Sequence, residues 1–442
     1  ILKMSELSFG QIMRRNCEID AQAGAMEFQG QWYDWAFLAE TIDGVSDMLR
    51  EFQVPAGAEI AVVCRNRPHQ VAAFCAVISS DRCVAPVNPF AYAEKIVADL
   101  RDLDAAVLIA SATEWESPVL QAYAEENKIL GISLDETRST EHLATLPYCK
   151  SVDEVTSARL NPGVAVLIQS SGTTGKPKRI PMYAAKLSAA YSNIPVGMTS
   201  DGGAKIKGKP ALITQPLVHI GGLFWVVHSL LEARPISLLD KFNVEQWAQA
   251  VEQYQIRVCS LVPAMINMVL ESDLPADKIS SLICVRSGTA PLSVEAQQAF
   301  EQRFGVPILP TYGATEFSGA VCGWTLESKN EFGDQKAGSV GRAYEGVDLR
   351  IVDQESGQVL AEGETGILQV RSVQMAEEDE WVSTTDLASI DADGFVWLSG
   401  RADAAINRGG FKIIPTEVAA ILERHAQVKE ASVVAVNDAR LG

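Results

Sequence analysis

Short β-branched runs alternate with helix-length patterns along this chain, and that rhythm restricts the fold more than any other feature. Ala58 to Cys64 reads as a strand, Pro68 to Ser79 as a helix, Cys83 to Val87 as a strand, Ala91 to Leu103 as a helix and Ala106 to Ile109 as a third strand. Strands apolar on both faces need helices over both faces, so the spacing predicts a parallel, doubly wound sheet. A second set follows beyond residue 210: Ala211 to Thr214, Pro235 to Leu239, Val258 to Leu261 and Ile283 to Val285. From about 337, short strands broken by Gly-x-Gly and Asp-Gly turns mark a small β-rich subdomain. Past a boundary near 401–405, Pro415 to Arg424 reads as a helix and Ala431 to Val436 as a strand. The expected fold class is α/β: a large domain over 1–402 with two doubly wound subdomains plus the β-rich one, then the start of a small α+β domain over 403–442. Forty residues are too few for an independent α+β domain, so a truncated or missing remainder is expected.

A loop rich in hydroxyls, glycines and cations follows the apolar strand Val164 to Ile168: Gln169-Ser170-Ser171-Gly172-Thr173-Thr174-Gly175-Lys176-Pro177-Lys178-Arg179. Glycines let successive backbone N–H groups converge on one point, and such a concavity favours an anion. Ser and Thr add donors of adjustable direction, and Lys176, Lys178 and Arg179 add charge. A polyphosphate suits this loop, although Gly/Ser/Thr-rich loops also serve as plain connectors. A P-loop requires G-x-x-x-x-G-K-[ST]. Here Gly172 and Gly175 stand too close, and Pro177 occupies the Ser/Thr position. That reading fails.

The net charge of −19 disfavours nucleic acid as a partner and repels polyphosphates in general, so an anion site must depend on local cations. Eight cysteines show no C-x-x-C pairing, and several lie in apolar runs, as expected of core residues in a reducing cytoplasm. The apolar stretch Ile220 to Leu231 is too short to span a bilayer and reads as a buried helix. The chain begins at Ile1 rather than Met, which leaves targeting open.

The loop at 170–179 resembles the signature of the acyl-adenylate-forming superfamily, (T/S)-S-G-(T/S)-T-G-x-P-K-G, with Arg179 in place of the last glycine. Further segments match the family in order. Pro216-Leu217-Val218-His219-Ile220-Gly221-Gly222 resembles P-x-F-H-x-x-G. Arg286-Ser287-Gly288-Thr289-Ala290-Pro291-Leu292 resembles S-G-G-A-P-L. Thr311-Tyr312-Gly313-Ala314-Thr315-Glu316 matches Y-G-x-T-E. Trp381 to Leu387 and Ser399 to Asp403 resemble the T-G-D-L and G-R-x-D pair, with Thr385 and Ala388 replacing glycines and Ala404 the second Asp. Each has a plain alternative, such as a core histidine at 219 or a helix cap at Thr315. Their joint order is the specific signal.

The resemblance implies roles. Ser171, Gly172, Thr173, Thr174, Gly175, Lys176 and Lys178 would clamp the phosphates of ATP, with Lys178 also aiding catalysis. Thr289, Ala290, Pro291, Thr311, Tyr312 and Gly313 would border adenine, Thr315 would contact the α-phosphate, Asp386 would accept both ribose hydroxyls, and Arg401 would approach the ribose or a phosphate. Glu316 would bind Mg²⁺. His219, Ile220, Gly221, Gly222, Ser287, Gly288, Gly313 and Phe317 would contact the acid, with the small residues leaving room for its acyl group. Val218, Phe224, Trp225, Phe317, Ser318 and Val321 are weaker pocket candidates, each more often core than pocket, and their apolar character suggests an aromatic or alicyclic acid. Asp403 would be the hinge, and Gly409, Gly410 and Phe411 would line a CoA tunnel.

The implied enzyme is a cytoplasmic AMP-forming acid–thiol ligase, an acyl- or aryl-CoA synthetase using ATP, Mg²⁺ and CoA, with 1–402 as its adenylation domain. Amino-acid-activating relatives carry an aspartate near His219; none stands between Thr214 and Trp225, so a small carboxylic acid without an α-amine is favoured. Transfer to a carrier-protein thiol, a homodimer, or ligand binding without turnover (the family's adenylation lysine would lie beyond 442) stay open. No nucleic acid or membrane span is expected. The stretch from Arg371 to Trp381 is about a dozen residues shorter than in the family pattern, by a gap near 374–378 or a deletion.

Overall fold

The computed structural model describes residues 7–103, 105–146, 159–169, 178–187, 197–198, 204–375, 379–404, 406–408, 411–425, 427–428 and 430–436. They divide into two compact units. The first holds 1–286, 299–307 and 314–319; the second holds 287–298, 308–313 and 320–442.

In the first unit, seven strands run in the order Leu143–Leu146, Leu130–Leu134, Val107–Ser111, Glu59–Val63, Cys83–Val87, Val164–Gln169, Arg179–Tyr183. The five central strands are parallel and both edge strands antiparallel. The chain moves from Glu59–Val63 to one neighbour and then back past it to the other, as the β/α rhythm requires. Helix Pro68–Ser79 is buried along nearly its whole length, because it packs on this sheet on one side and on a second sheet on the other. That second sheet corrects the simple picture of a separate set beyond 210. Ala211–Ile213 and Ile236–Leu238 are joined there by the N-terminal hairpin Gly24–Phe28 and Gln31–Asp34, whereas Val258–Ser260 pairs in parallel with Cys284–Ser287 elsewhere.

The segment Asp135 to His142 is held on the first unit by an aromatic and imidazole cluster. His142 packs 4.8 Å from Phe37 and 5.1 Å from His69 between ring centroids. His142 Nε2 lies 2.8 Å from Thr41 Oγ1, and His69 Nε2 donates to the Arg138 carbonyl at 2.6 Å. Burial, and then the neighbouring His69, push the His142 pKa down from 6.5 to about 4, against a small opposing pull from Asp135. The unfolded chain therefore binds a proton that the folded chain refuses. The stabilisation is complete above pH 6.5 and fades as pH falls toward 4, a loss of up to about 3 kcal/mol. Melting temperatures across pH 7 to 4 should fall, and His142→Leu should flatten that slope.

In the second unit, Val347–Val352, Gly366–Ser372, Val382–Ile390 and Val396–Arg401 form an antiparallel meander, matching the expected β-rich region. A hairpin, Ile406–Arg408 and Phe411–Ile413, and helix Pro415–Glu423 follow. Thr416 Oγ1 donates to the Ser399 carbonyl at 3.4 Å, so this helix sits on the meander's last strand. Ala431 to Val436 forms no strand, because no partner strand meets it among the described residues. Seven cysteines are buried and free; Cys149 lies outside the described residues. Among the described residues, no helix is long and apolar enough to cross a membrane.

Candidate active site

His219 caps the helix Ile220–Leu231 from an extended conformation, with its imidazole left free of capping duty. The residue is exposed, yet partial desolvation of the imidazole lowers its pKa. An imidazole here has an N–H to donate, as contact with an acceptor-only carboxylate requires. The turn before it is built by Asn66, 2% exposed, which the sequence reading missed. Asn66 Nδ2 donates to the carbonyls of Gln215 (2.9 Å) and Leu239 (3.1 Å), and its Oδ1 accepts from Leu217 N–H at 2.9 Å. The polar run Arg65-Asn66-Arg67 after a buried strand was the available signal. Its partners, some 150 residues away, were not readable.

The two glycines after His219 have a structural reason. A Cβ on Gly221 would lie 1.9 Å from Gln215 Oε1, and one on Gly222 would lie 2.2 Å from the Pro216 carbonyl oxygen. The protein around them already requires small residues at both positions. Phe317, expected to contact the acid, is buried. It is 2% exposed, a core anchor, as are Val218 and Val321. Its burial and the left-handed Ser318 (φ 59°) set the short turn Thr315–Phe317, from which Glu316 projects exposed.

The loop expected to clamp phosphates, Ser171 to Lys176, lies outside the described residues. Lys178, just after it, is exposed, whereas Arg179 is half-buried and engaged with the sheet. Its guanidinium donates to the carbonyls of Pro86 (3.2 Å) and Leu167 (3.3 Å). There it lines a cavity of about 430 Å³ with Glu59, Asp99, Asp102 and Arg159. Burial lowers its pKa against the opposing pull of those carboxylates. Arg179→Met should therefore cost about 2 kcal/mol of stability, the scale of charge-assisted hydrogen bonds lost. Denaturant unfolding checks this, and the KM for ATP should stay within about twofold, as for a residue outside the site.

The second unit gathers the expected nucleoside contacts. Tyr312, on the strand Ile308–Ala314, donates its hydroxyl to Asp386 Oδ2 at 2.5 Å. Burial and then the Asp386 charge push the phenol pKa up, so it stays a donor. Asp386 pairs with Arg401 across adjacent strands, and Arg401 forms a bidentate pair with Asp403, Nε–Oδ1 2.9 Å and Nη2–Oδ2 2.7 Å. Thr311 Oγ1 donates to the Ser287 carbonyl at 3.4 Å, and a Cβ on Gly288 would lie 2.7 Å from that Oγ1. Ser287 itself is buried. Ala290 and Pro291 are exposed. Thr289, where the family pattern has glycine, takes φ 73°. A β-branched residue there is strained, so Thr289→Gly should raise stability by about 1 kcal/mol, read as a higher denaturant midpoint. Gly409 and Gly410 lie outside the described residues, and Phe411 is seen only as strand backbone.

Among the described residues, no cluster of three or more His, Cys, Asp or Glu could cage a metal. Glu316 alone fits Mg²⁺ in another way, since that ion keeps waters and takes one carboxylate with substrate phosphates.

Comparison with known proteins places this architecture. The family described as AMP-binding enzyme matches residues 13–378. The 2-succinylbenzoate–CoA ligase of Bacillus pumilus (strain SAFR-032) is 28% identical, over 95% of this chain and 83% of that protein. Two solved structures share the fold. ATP-bound MatB from Rhodopseudomonas palustris superposes with TM-score 0.79 at 20% identity, covering 99% of this chain and 87% of that one. The o-succinylbenzoate CoA synthetase of Bacillus subtilis, bound to its acyl-adenylate, gives 0.75 at 22% identity, covering 98% and 86%. The chain belongs to the AMP-binding enzyme family.

Proposed function

We propose that the chain activates a small carboxylic acid with ATP and passes the acyl group to the thiol of CoA. The observation that carries this reading is the Tyr312–Asp386 pair, which joins two motifs 74 residues apart that one bound nucleoside would need together. In the first step a carboxylate oxygen attacks the α-phosphorus, pyrophosphate leaves, and an acyl adenylate forms. In the second, the thiol sulfur attacks the acyl carbon, AMP leaves and the thiol proton passes to solvent.

The chain's own residues act mainly by placing and neutralising charge. His219 donates to the carboxylate, Thr315 to the α-phosphate, and Lys178 balances the phosphate chain. Asp386 accepts from the ribose hydroxyls, with Tyr312 and Arg401 holding it in place. Glu316 would hold Mg²⁺, which offsets the charge of the phosphates. The residues from 403 onward turn about Asp403 between the two steps, supported by its pairing to Arg401. The absence of an aspartate between Thr214 and Trp225 supports an acid without an α-amine. Acid-dependent ATP–pyrophosphate exchange tests the reading: exchange with at least one acid of a wide panel is expected, and none with the full-length enzyme would overturn it.

A further inference from the structure

Arg286 ends the parallel strand Cys284–Ser287 as an exposed residue between buried Val285 and buried Ser287. Its guanidinium carbon lies 5.8 Å from the centroid of the Trp225 ring, on the helix that His219 caps. Among the described residues, no hydrogen bond or ion pair engages this guanidinium. That is notable in a chain with 56 carboxylate residues and 37 lysines and arginines. Carboxylates are abundant here, and this cation has been left without one.

The strand register shows what surrounds it. Ser260 is the residue paired with Arg286 on the neighbouring strand. Ser260 Oγ accepts from Gln215 Nε2 at 2.9 Å. Gln215 in turn packs on Gly221 and opens the turn that carries His219. Arg286, Trp225 and His219 are thus linked at the carboxyl ends of two parallel strands, where open α/β sheets take their ligands. An aromatic face holds the planar guanidinium by cation–π attraction and keeps its fork oriented for a bidentate acceptor.

Building on the acid-activation reading, we infer that Arg286 binds a second anionic group on the substrate, which makes that substrate a dicarboxylic acid. One carboxylate is activated beside His219. The other is held by Arg286, and the carbon skeleton between them lies along Trp225. A guanidinium–carboxylate pair in such a crevice is strongly selective, because an acid lacking the second charge leaves the arginine desolvated and unanswered.

Pyrophosphate release by the full-length enzyme, with aliphatic and aromatic diacids each paired with its monomethyl ester, tests this. The kcat/KM for the preferred diacid should exceed that for its ester about 100-fold, the scale of a lost charge-assisted contact. Arg286→Met should erase the ratio by lowering the diacid value alone, leaving the ester within about threefold, and Arg286→Lys should restore part of it. Since Arg286 is exposed and its replacement buries nothing polar, melting should move by no more than about 2 °C. Turnover of monoacids with none of diacids, or a ratio unchanged in Arg286→Met, overturns this inference and leaves acid activation standing. Turnover of no acid at all overturns both.

Discussion

Glu316→Gln is expected to slow acid-dependent ATP–pyrophosphate exchange about 1,000-fold, the upper end of the range for losing one preorganised electrostatic group, here the carboxylate that would hold Mg²⁺ against the phosphates. The reason lies in where the carboxylate stands. The turn Thr315–Phe317 is anchored by buried Phe317, while Glu316 itself is exposed. Its side chain therefore contributes little to folding, and exposed substitutions of this kind move stability by about 0.5 kcal/mol or less. No cluster of acidic or imidazole side chains stands ready among the described residues to take over its metal. The amide keeps the shape and loses the charge. Exchange rates measured across a Mg²⁺ titration should show a higher metal requirement along with the lower rate. A loss under tenfold with an unchanged requirement would remove Glu316 from the metal site.

Asp386→Ala is expected to raise the KM for ATP about 100-fold, the effect of losing charge-assisted hydrogen bonds to two ribose hydroxyls. Its position is set by both neighbours. Tyr312 donates into one oxygen, and Arg401 stands across the strand pair, itself tied to Asp403. Removing the carboxylate also takes away the acceptor of the half-buried Tyr312 hydroxyl, so binding and local order suffer together. Tyr312→Phe separates the two effects: it keeps the carboxylate and the ring, removes only the hydroxyl that orients the carboxylate, and should raise the KM for ATP by no more than about fivefold. The KM for the acid should change little in either variant. Equal losses in both variants would make Asp386 a structural partner of Tyr312 rather than a ribose acceptor.

Much of this was legible in the sequence, and for physical reasons. Helix Pro68–Ser79 and strand Cys83–Val87 appear with the bounds their patterns predicted, because an apolar run flanked by turns has few other ways to satisfy its backbone. The order of the motifs around 170, 219, 288, 315, 386 and 401 pointed to a nucleotide and an acid. The pattern failed where a side chain's direction depends on distant atoms. Arg179 looked like one more cation of the loop, yet the Pro86 and Leu167 carbonyls draw it into a cleft. Phe317 looked like a pocket wall and is core.

The sequence by itself determined the alternation of strands and helices and the chemical types present at each motif, since periodicity and residue chemistry are local properties. Only the tertiary structure decided which groups are available to a ligand. Asn66 is committed to the carbonyls and N–H around Gln215 and Leu217, and the space beside Gly221 is taken by Gln215. Among the described residues, Arg286 remains a cation without an acid, held over the Trp225 ring. Whether a polar group serves the fold or the substrate depends on partners brought together by packing, and those partners lie tens to hundreds of residues away along the chain.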